Sequence, residues 1–160
     1  MRIGIIAVGR LKAGPEKDLV SRYLDRFAKA GPASGLDFSR VTELNESRAS
    51  NAATRKREEA VQIEKALPDN ALVVALDERG KSWNSEEFAA FVGDHKDRGR
   101  RDMVLIIGGA DGLDPELRDR ADLTLNLGKM TWPHQVVRIL LAEQLYRAVT
   151  ILSGHPYHRS

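Results

Sequence analysis

Two short stretches decide the architecture: ALVVAL at residues 71–76 and MVLIIGG at residues 103–109. Each is an unbroken apolar run of strand length, without the alternation of a sheet that has one wet face. Such runs mark parallel strands covered on both faces. The second ends on Gly108-Gly109, where a chain leaving a buried strand must turn sharply.

Working outward, Arg2 to Val8 reads as another buried strand and Leu36 to Leu44 as a partly alternating one. Leu123 to Leu127 reads as the last strand. Helical periodicity fills the gaps. Glu16 to Ala30 places Leu19, Val20, Tyr23, Leu24 and Phe27 on one face, and Gly31-Pro32 stops it. Ser50 or Asn51 caps a helix running to Leu67, ended by Pro68. Asn84 with Glu87 three residues on is a capping-box pattern ahead of Phe88, Phe91 and Val92. Asp114-Pro115 starts a short helix, and Pro133 opens a long one reaching Leu152. Strands separated by helices predict an α/β fold, a mainly parallel sheet with helices on both faces. The last helix is apolar on most sides, so it is either internal or shared with a second copy; a dimer interface is expected.

The chain has 160 residues, 42% hydrophobic and 30% charged, which is ordinary for one globular domain spanning residues 1–160. There is no cysteine, so thiolate catalysis and Cys–zinc sites are excluded. The apolar run from Ile3 to Val8 is too short for a signal peptide or a membrane span. A cytoplasmic protein with no membrane association is expected. A net charge of +2 does not by itself indicate nucleic acid. The clusters Arg55-Lys56-Arg57 and 98–101 are diluted by acidic neighbours and receive no site.

Candidate chemistry lies late in the chain. Gly9 to Gly14 has P-loop glycine spacing, but Pro15-Glu16 stands where Lys-Ser/Thr is required, so it reads as an ordinary strand-to-helix turn. Three strand ends remain: Leu76-Asp77, Gly108-Gly109, and the loop Leu127-Gly128-Lys129-Met130-Thr131-Trp132. Ligands in open α/β sheets bind outside the carboxyl ends of the strands. No early GxGxxG occurs, which argues against a dinucleotide-dependent oxidoreductase. His134 reads equally as a cap, a packing residue or a site residue. The tail, residues 154–160, carries His155, Tyr157, His158 and Arg159, side chains suited to holding a base or moving its proton. Its two histidines cannot complete a metal site.

LIIGGADGL, LNLGKMTWPHQVVRILLAEQLYRA and the closing HPYHR resemble the small SPOUT-class methyltransferases that modify a pseudouridine in bacterial large-subunit ribosomal RNA. IAVGRLK and LDERGKSW are similar to the same family, so the resemblance covers essentially the whole chain. It implies a C-terminal trefoil knot, a homodimer and S-adenosyl-L-methionine as methyl donor. By motif position, Leu76, Gly108, Leu127, Gly128, Lys129, Met130, Thr131 and Trp132 would contact the cofactor. The implied reaction is methyl transfer to N3 of the pseudouridine, on the assembled ribosome and without a metal. Because the imide nitrogen must lose its proton, Arg138, Tyr157, His158 and Arg159 are the catalytic candidates. The alternatives are a family member with another RNA target, or a non-catalytic ribosome-binding protein that keeps the fold. Affinity for the cofactor separates the second from an enzyme.

Overall fold

The computed structural model describes residues 1–159. Five strands alternate with helices: β1 (Arg2–Val8), α1 (Pro15–Ala30), β2 (Asp37–Leu44), α2 (Ala52–Ala66), β3 (Leu72–Ser82), α3 (Ser85–Asp97), β4 (Asp102–Ile107), α4 (Pro115–Asp119), β5 (Leu123–Asn126) and α5 (His134–Leu152). A short 3-10 turn, Gly31–Ser34, joins α1 to β2. The strands form one sheet in the order β2-β1-β4-β3-β5, and every neighbouring pair is parallel. All strand-to-helix turns therefore open at the same end of the sheet.

Side chains alternate across each strand, so the two faces build two cores. Ile3, Ile5, Ala7, Leu72, Val74, Met103, Leu105 and Ile107 face one side. There they pack with Phe27 of α1, Phe88 and Val92 of α3, and Leu141 and Leu145 of α5. Ile6, Val8, Ala75, Val104 and Ile106 face the other, against Ala60 and Ile63 of α2 and Leu117 of α4. The expected arrangement of helices on both faces is present. α5 lies over the sheet between α1 and α3 and buries one stripe, Leu141, Ala142, Leu145, Ala148 and Val149, while Val136, Ile139 and Leu140 are half-buried and Leu152 is exposed.

Most boundaries follow local chemistry. Asn51, rather than Ser50, caps α2, its side chain accepting the Thr54 N–H at 2.8 Å. Asn84 and Glu87 form the reciprocal box, with Asn84 Oδ1 accepting the Glu87 N–H at 2.8 Å and Glu87 Oε2 accepting the Asn84 N–H at 2.7 Å. Asn84→Ala is expected to lower unfolding free energy by about 1 kcal/mol, read from the shift in urea midpoint.

The main departure is β3. Its apolar run stops at Leu76, but the strand continues to Ser82. Leu125 of β5 is paired both with Leu76 and with Lys81, so residues 77–80 swing out of the ladder as a bulge. Gly80 permits this, because a Cβ there would sit 2.6 Å from the Leu125 main chain. The bulge carries Asp77, Glu78 and Arg79 away from the sheet and into the wall of a cavity.

Candidate cofactor cavity and the C-terminal tail

At the carboxyl ends of β3, β4 and β5 the turns surround a cavity of about 500 Å³, within the ~300–1,000 Å³ of small-molecule sites. Its floor is apolar, formed by Leu76, Leu113, Leu125 and Val137, and its rim is charged, with Lys56, Asp77, Glu78, Arg79 and Asp111. Of the eight residues expected to contact a cofactor, seven line it: Leu76, Gly108, Leu127, Gly128, Met130, Thr131 and Trp132. Lys129 is the exception. It belongs to the same loop but is exposed and turned off the wall. His134 lines the cavity from the head of α5.

Two close approaches shape the wall. At Gly108 a Cβ would lie 2.7 Å from the Gly112 carbonyl carbon and 2.9 Å from the Leu113 nitrogen. The 108–113 turn thus folds back on a residue that must have no side chain. It is closed by the Gly112 N–H donating to the Gly109 carbonyl at 3.0 Å. On the other wall Gly128 takes a φ of 115°, its N–H donating to Asn126 Oδ1 at 3.1 Å. Trp132 Nε1 donates to the Leu127 carbonyl at 3.3 Å, which draws the 127–132 loop into a ring. Met130 stands 73% exposed over the opening.

The cluster Arg55-Lys56-Arg57, which reads in the sequence as a diluted solvated face with no site, lies on α2, and α2 backs this wall. Arg55 grips both carboxylate oxygens of Asp111, at 2.7 and 3.0 Å, and donates to the Ala49 carbonyl at 3.0 Å. That contact holds the Asp111 carboxyl below its usual range. Glu59, one helical turn on and 5% exposed, accepts the Ser47 N–H at 2.9 Å; burial pushes its carboxyl up. Lys56, between them, reaches the cavity. The only sequence signal was the i, i+1, i+4 placement of Arg55, Lys56 and Glu59 on one helix, which most solvated helices also carry.

The four catalytic candidates are placed differently. None of them lines the cavity. Arg138 is 4% exposed and donates to the Val8 carbonyl at 3.1 Å, the Gly9 carbonyl at 2.6 Å and Glu43 Oε1 at 2.6 Å. It fastens the ends of β1 and β2 to α5, beside the cavity and not in its lining, since the Val8 side chain packs against Gly109 of the wall. Tyr157 folds back on α5, its hydroxyl donating to Glu143 Oε1 at 3.0 Å and its ring 4.8 Å from that of Tyr146. Burial, followed by hydrogen bonds with Tyr23 and Glu143, pushes the Tyr157 phenol well up, so it is a donor and not a base. His158 is held between Arg147 and Glu86. Arg159 is exposed. Glu143 lies nine residues into α5 from His134, roughly 13 Å along the helix axis.

Among the described residues no group of three or more His, Asp or Glu could hold a metal ion, and no helix is long and apolar enough to cross a membrane.

The comparisons with known proteins agree with this arrangement. From residue 1 to residue 158 the chain matches the family model described as "Predicted SPOUT methyltransferase". It is 89% identical over 160 residues to the ribosomal RNA large subunit methyltransferase H of Allorhizobium ampelinum, covering 100% of both chains. It is 72% identical over 160 residues to the protein of the same name from Rhizobium meliloti, again over 100% of both. Among solved structures, a probable methyltransferase from Bordetella pertussis Tohama I superposes with a TM-score of 0.54 at 14% identity, covering 92% of this chain and 95% of that one. At that identity the superposition speaks for the fold alone. With a late-chain cavity walled by glycine turns, a parallel sheet in this order and a family match along nearly its whole length, the chain belongs to the SPOUT methyltransferase family.

Proposed function

We propose that the chain methylates large-subunit ribosomal RNA with S-adenosyl-L-methionine as donor, at N3 of a pseudouridine on the assembled ribosome. The observation that carries the cofactor reading is the cavity at the ends of β3, β4 and β5 and the chemistry of its lining. Leu76, Leu125 and Val137 offer apolar surface to an adenine. Asp77 and Glu78 suit ribose hydroxyls and an ammonium group, and Lys56 opposes a carboxylate. When bound, the cofactor supplies an already activated methyl group, so neither a metal nor an enzyme nucleophile is needed. The trefoil-knot threading implied by the resemblance is part of this reading, as is residence in the cytoplasm.

The protein's own task is to bring the acceptor nitrogen in line with the methyl and to favour loss of the imide proton. Within one chain the tail docks on α5 and α3 while the cavity opens between the strand ends. A reaction that uses both therefore needs a second copy to present its tail, which supports a homodimer. Arg159, exposed at the tip of the tail, would favour the anionic imide by its charge; Tyr157, whose one O–H donates to Glu143, would hold the tail in place. A dimer of compact chains would read ribosome shape rather than sequence, since a single reading module already buries ~600–1,000 Å².

The test begins with Ala110, an exposed residue on the cavity wall. Ala110→Trp adds bulk at the cavity from within the 108–113 turn while leaving Gly108, Gly109 and Gly112 in place. Titration calorimetry is expected to show wild-type binding of S-adenosyl-L-methionine and at least about tenfold weaker binding by the variant. Methyl transfer to ribosomes, with little to naked RNA, is the second expected result. A folded wild-type protein with no cofactor affinity on or off the ribosome would leave a non-catalytic ribosome binder as the reading.

A further inference from the structure

We propose that Glu86, in the first turn of α3, is a positioning residue for the C-terminal tail: it accepts the Nε2–H of His158 while Arg147 donates to Nδ1, making this histidine a clasp and not a base. The role in catalysis rests on the proposed methyl transfer; the clasp itself does not.

The argument starts from donors and acceptors. Arg147 Nη1 lies 3.2 Å from His158 Nδ1, and a guanidinium can only donate. Nδ1 must therefore be the accepting nitrogen, and the ring proton sits on Nε2. That nitrogen lies 2.6 Å from Glu86 Oε1, a carboxylate that can only accept. Both ring nitrogens are thus committed, and the tautomer is fixed by its neighbours. The Glu86 carboxyl is held below its ordinary range, chiefly by this hydrogen bond.

Arg147 is itself held. Its Nε and Nη2 bond Glu143 at 3.0 and 2.5 Å, and Glu143 accepts the Tyr157 hydroxyl at 3.0 Å. The guanidinium also covers the Tyr157 ring at 4.9 Å. Tyr157 and His158 are in this way fastened to α5 by two adjacent bonds, and among the described residues the one hydrogen bond from the tail across to α3 is that of Glu86. The placement follows from the fold. The capping box at Asn84 and Glu87 turns α3 so that Glu86 faces α5, where Ser85 Oγ also donates to Gln144 Oε1 at 2.8 Å. Acidic residues are expected in a first helical turn, which is why Glu86 carried no functional signal in the sequence. Fixing both ends of the His158 ring sets the direction in which Arg159 leaves the body of the protein.

Two measurements test this. Long-range proton–nitrogen correlation spectra of the wild-type protein near neutral pH should show His158 as a single Nε2–H tautomer. In Glu86→Ala that signature should give way to exchange between tautomers. In ribosome methylation at saturating cofactor, Glu86→Ala is expected to lower kcat roughly tenfold, the scale of a slight misplacement of reacting groups. Glu86→Gln, whose amide oxygen still accepts from Nε2, should stay within about twofold of wild type, and cofactor affinity should be unchanged in both. An Nδ1–H tautomer in the wild type, or an Ala variant with wild-type kcat, overturns the proposal. Wild-type protein that transfers no methyl to ribosomes would instead defeat the proposed function, leaving the tautomer measurement to decide the clasp.

Discussion

Gly108→Ala is expected to lower the unfolding free energy by about 2–3 kcal/mol and to abolish cofactor binding. The cause is steric. A single added methyl would lie 2.7 Å from the Gly112 carbonyl carbon, against main chain that closes the cavity wall through the Gly109–Gly112 bond. Backbone cannot rotate out of the way as a side-chain end can, so the 108–113 turn must open, and Leu113 with it. Gly99→Ala supplies the comparison. Gly99 sits at a φ of 76° with nothing within 4 Å of an added Cβ, so it should cost only the left-handed strain, about 1 kcal/mol. Denaturant unfolding of the pair, with calorimetry on each, separates loss of the cavity from loss of general stability. A Gly108→Ala protein that binds cofactor like wild type would show that the turn does not form the site. The same geometry makes larger residues at 108 poor probes of cofactor approach, since they would break the wall before they blocked a ligand.

Arg138→Met is expected to cost about 1–3 kcal/mol, the range for leaving buried acceptors unpaired, since Arg138 is buried while its partner Glu43 keeps part of its side chain in solvent. The substitution keeps length and apolar character, and it strips the donors from Glu43 and from the Val8 and Gly9 carbonyls. The pH dependence of stability should change with it. Burial pushes the Glu43 carboxyl up, but the Leu11 N–H and then Arg138 outweigh burial, so the folded-state value is lowered. A lowered value means that the unfolded chain binds the proton more readily. The stabilisation is therefore full above the ordinary carboxylate range and is lost as pH falls through the folded value. Without Arg138, burial is opposed mainly by the Leu11 N–H, and the acid limb of the stability curve should flatten. Urea unfolding of both proteins from pH 3 to 7 reads this directly. Equal stability of the two proteins at pH 7 would show that Arg138 is not a fastening of β1 and β2 to α5, and would reopen a direct role in the reaction.

The heart of the fold was legible before any coordinates. ALVVAL and MVLIIGG are apolar on consecutive residues because β3 and β4 have a core on each face, and their strand length and flanking turns separate them from a buried helix. The helix starts were equally readable, because Asn51, Asn84 and Asp114 satisfy main-chain N–H groups within three residues of themselves. Local chemistry also marked most of the cavity: glycines at strand ends stand where the main chain must turn, so Gly108 and the 127–132 loop could be chosen from order along the chain alone.

What the chain order does not contain is direction in space. Arg138 and the tail read as site residues because their chemistry suits a proton transfer. Whether a buried cation faces a ligand or a pair of carbonyls depends on residues 95 and 129 positions away, Glu43 and Gly9. The bulge that sends Asp77, Glu78 and Arg79 into the cavity depends on β5 pairing with β3 across it. The commitment of both nitrogens of His158 depends on Glu86, 72 residues earlier. Sequence by itself thus determined which elements form and at which end of the sheet a ligand can sit, since those follow from periodicity and short-range hydrogen bonds. Only the tertiary structure decided which charges meet, because a long-range ion pair is chosen by packing and leaves no spacing in the chain.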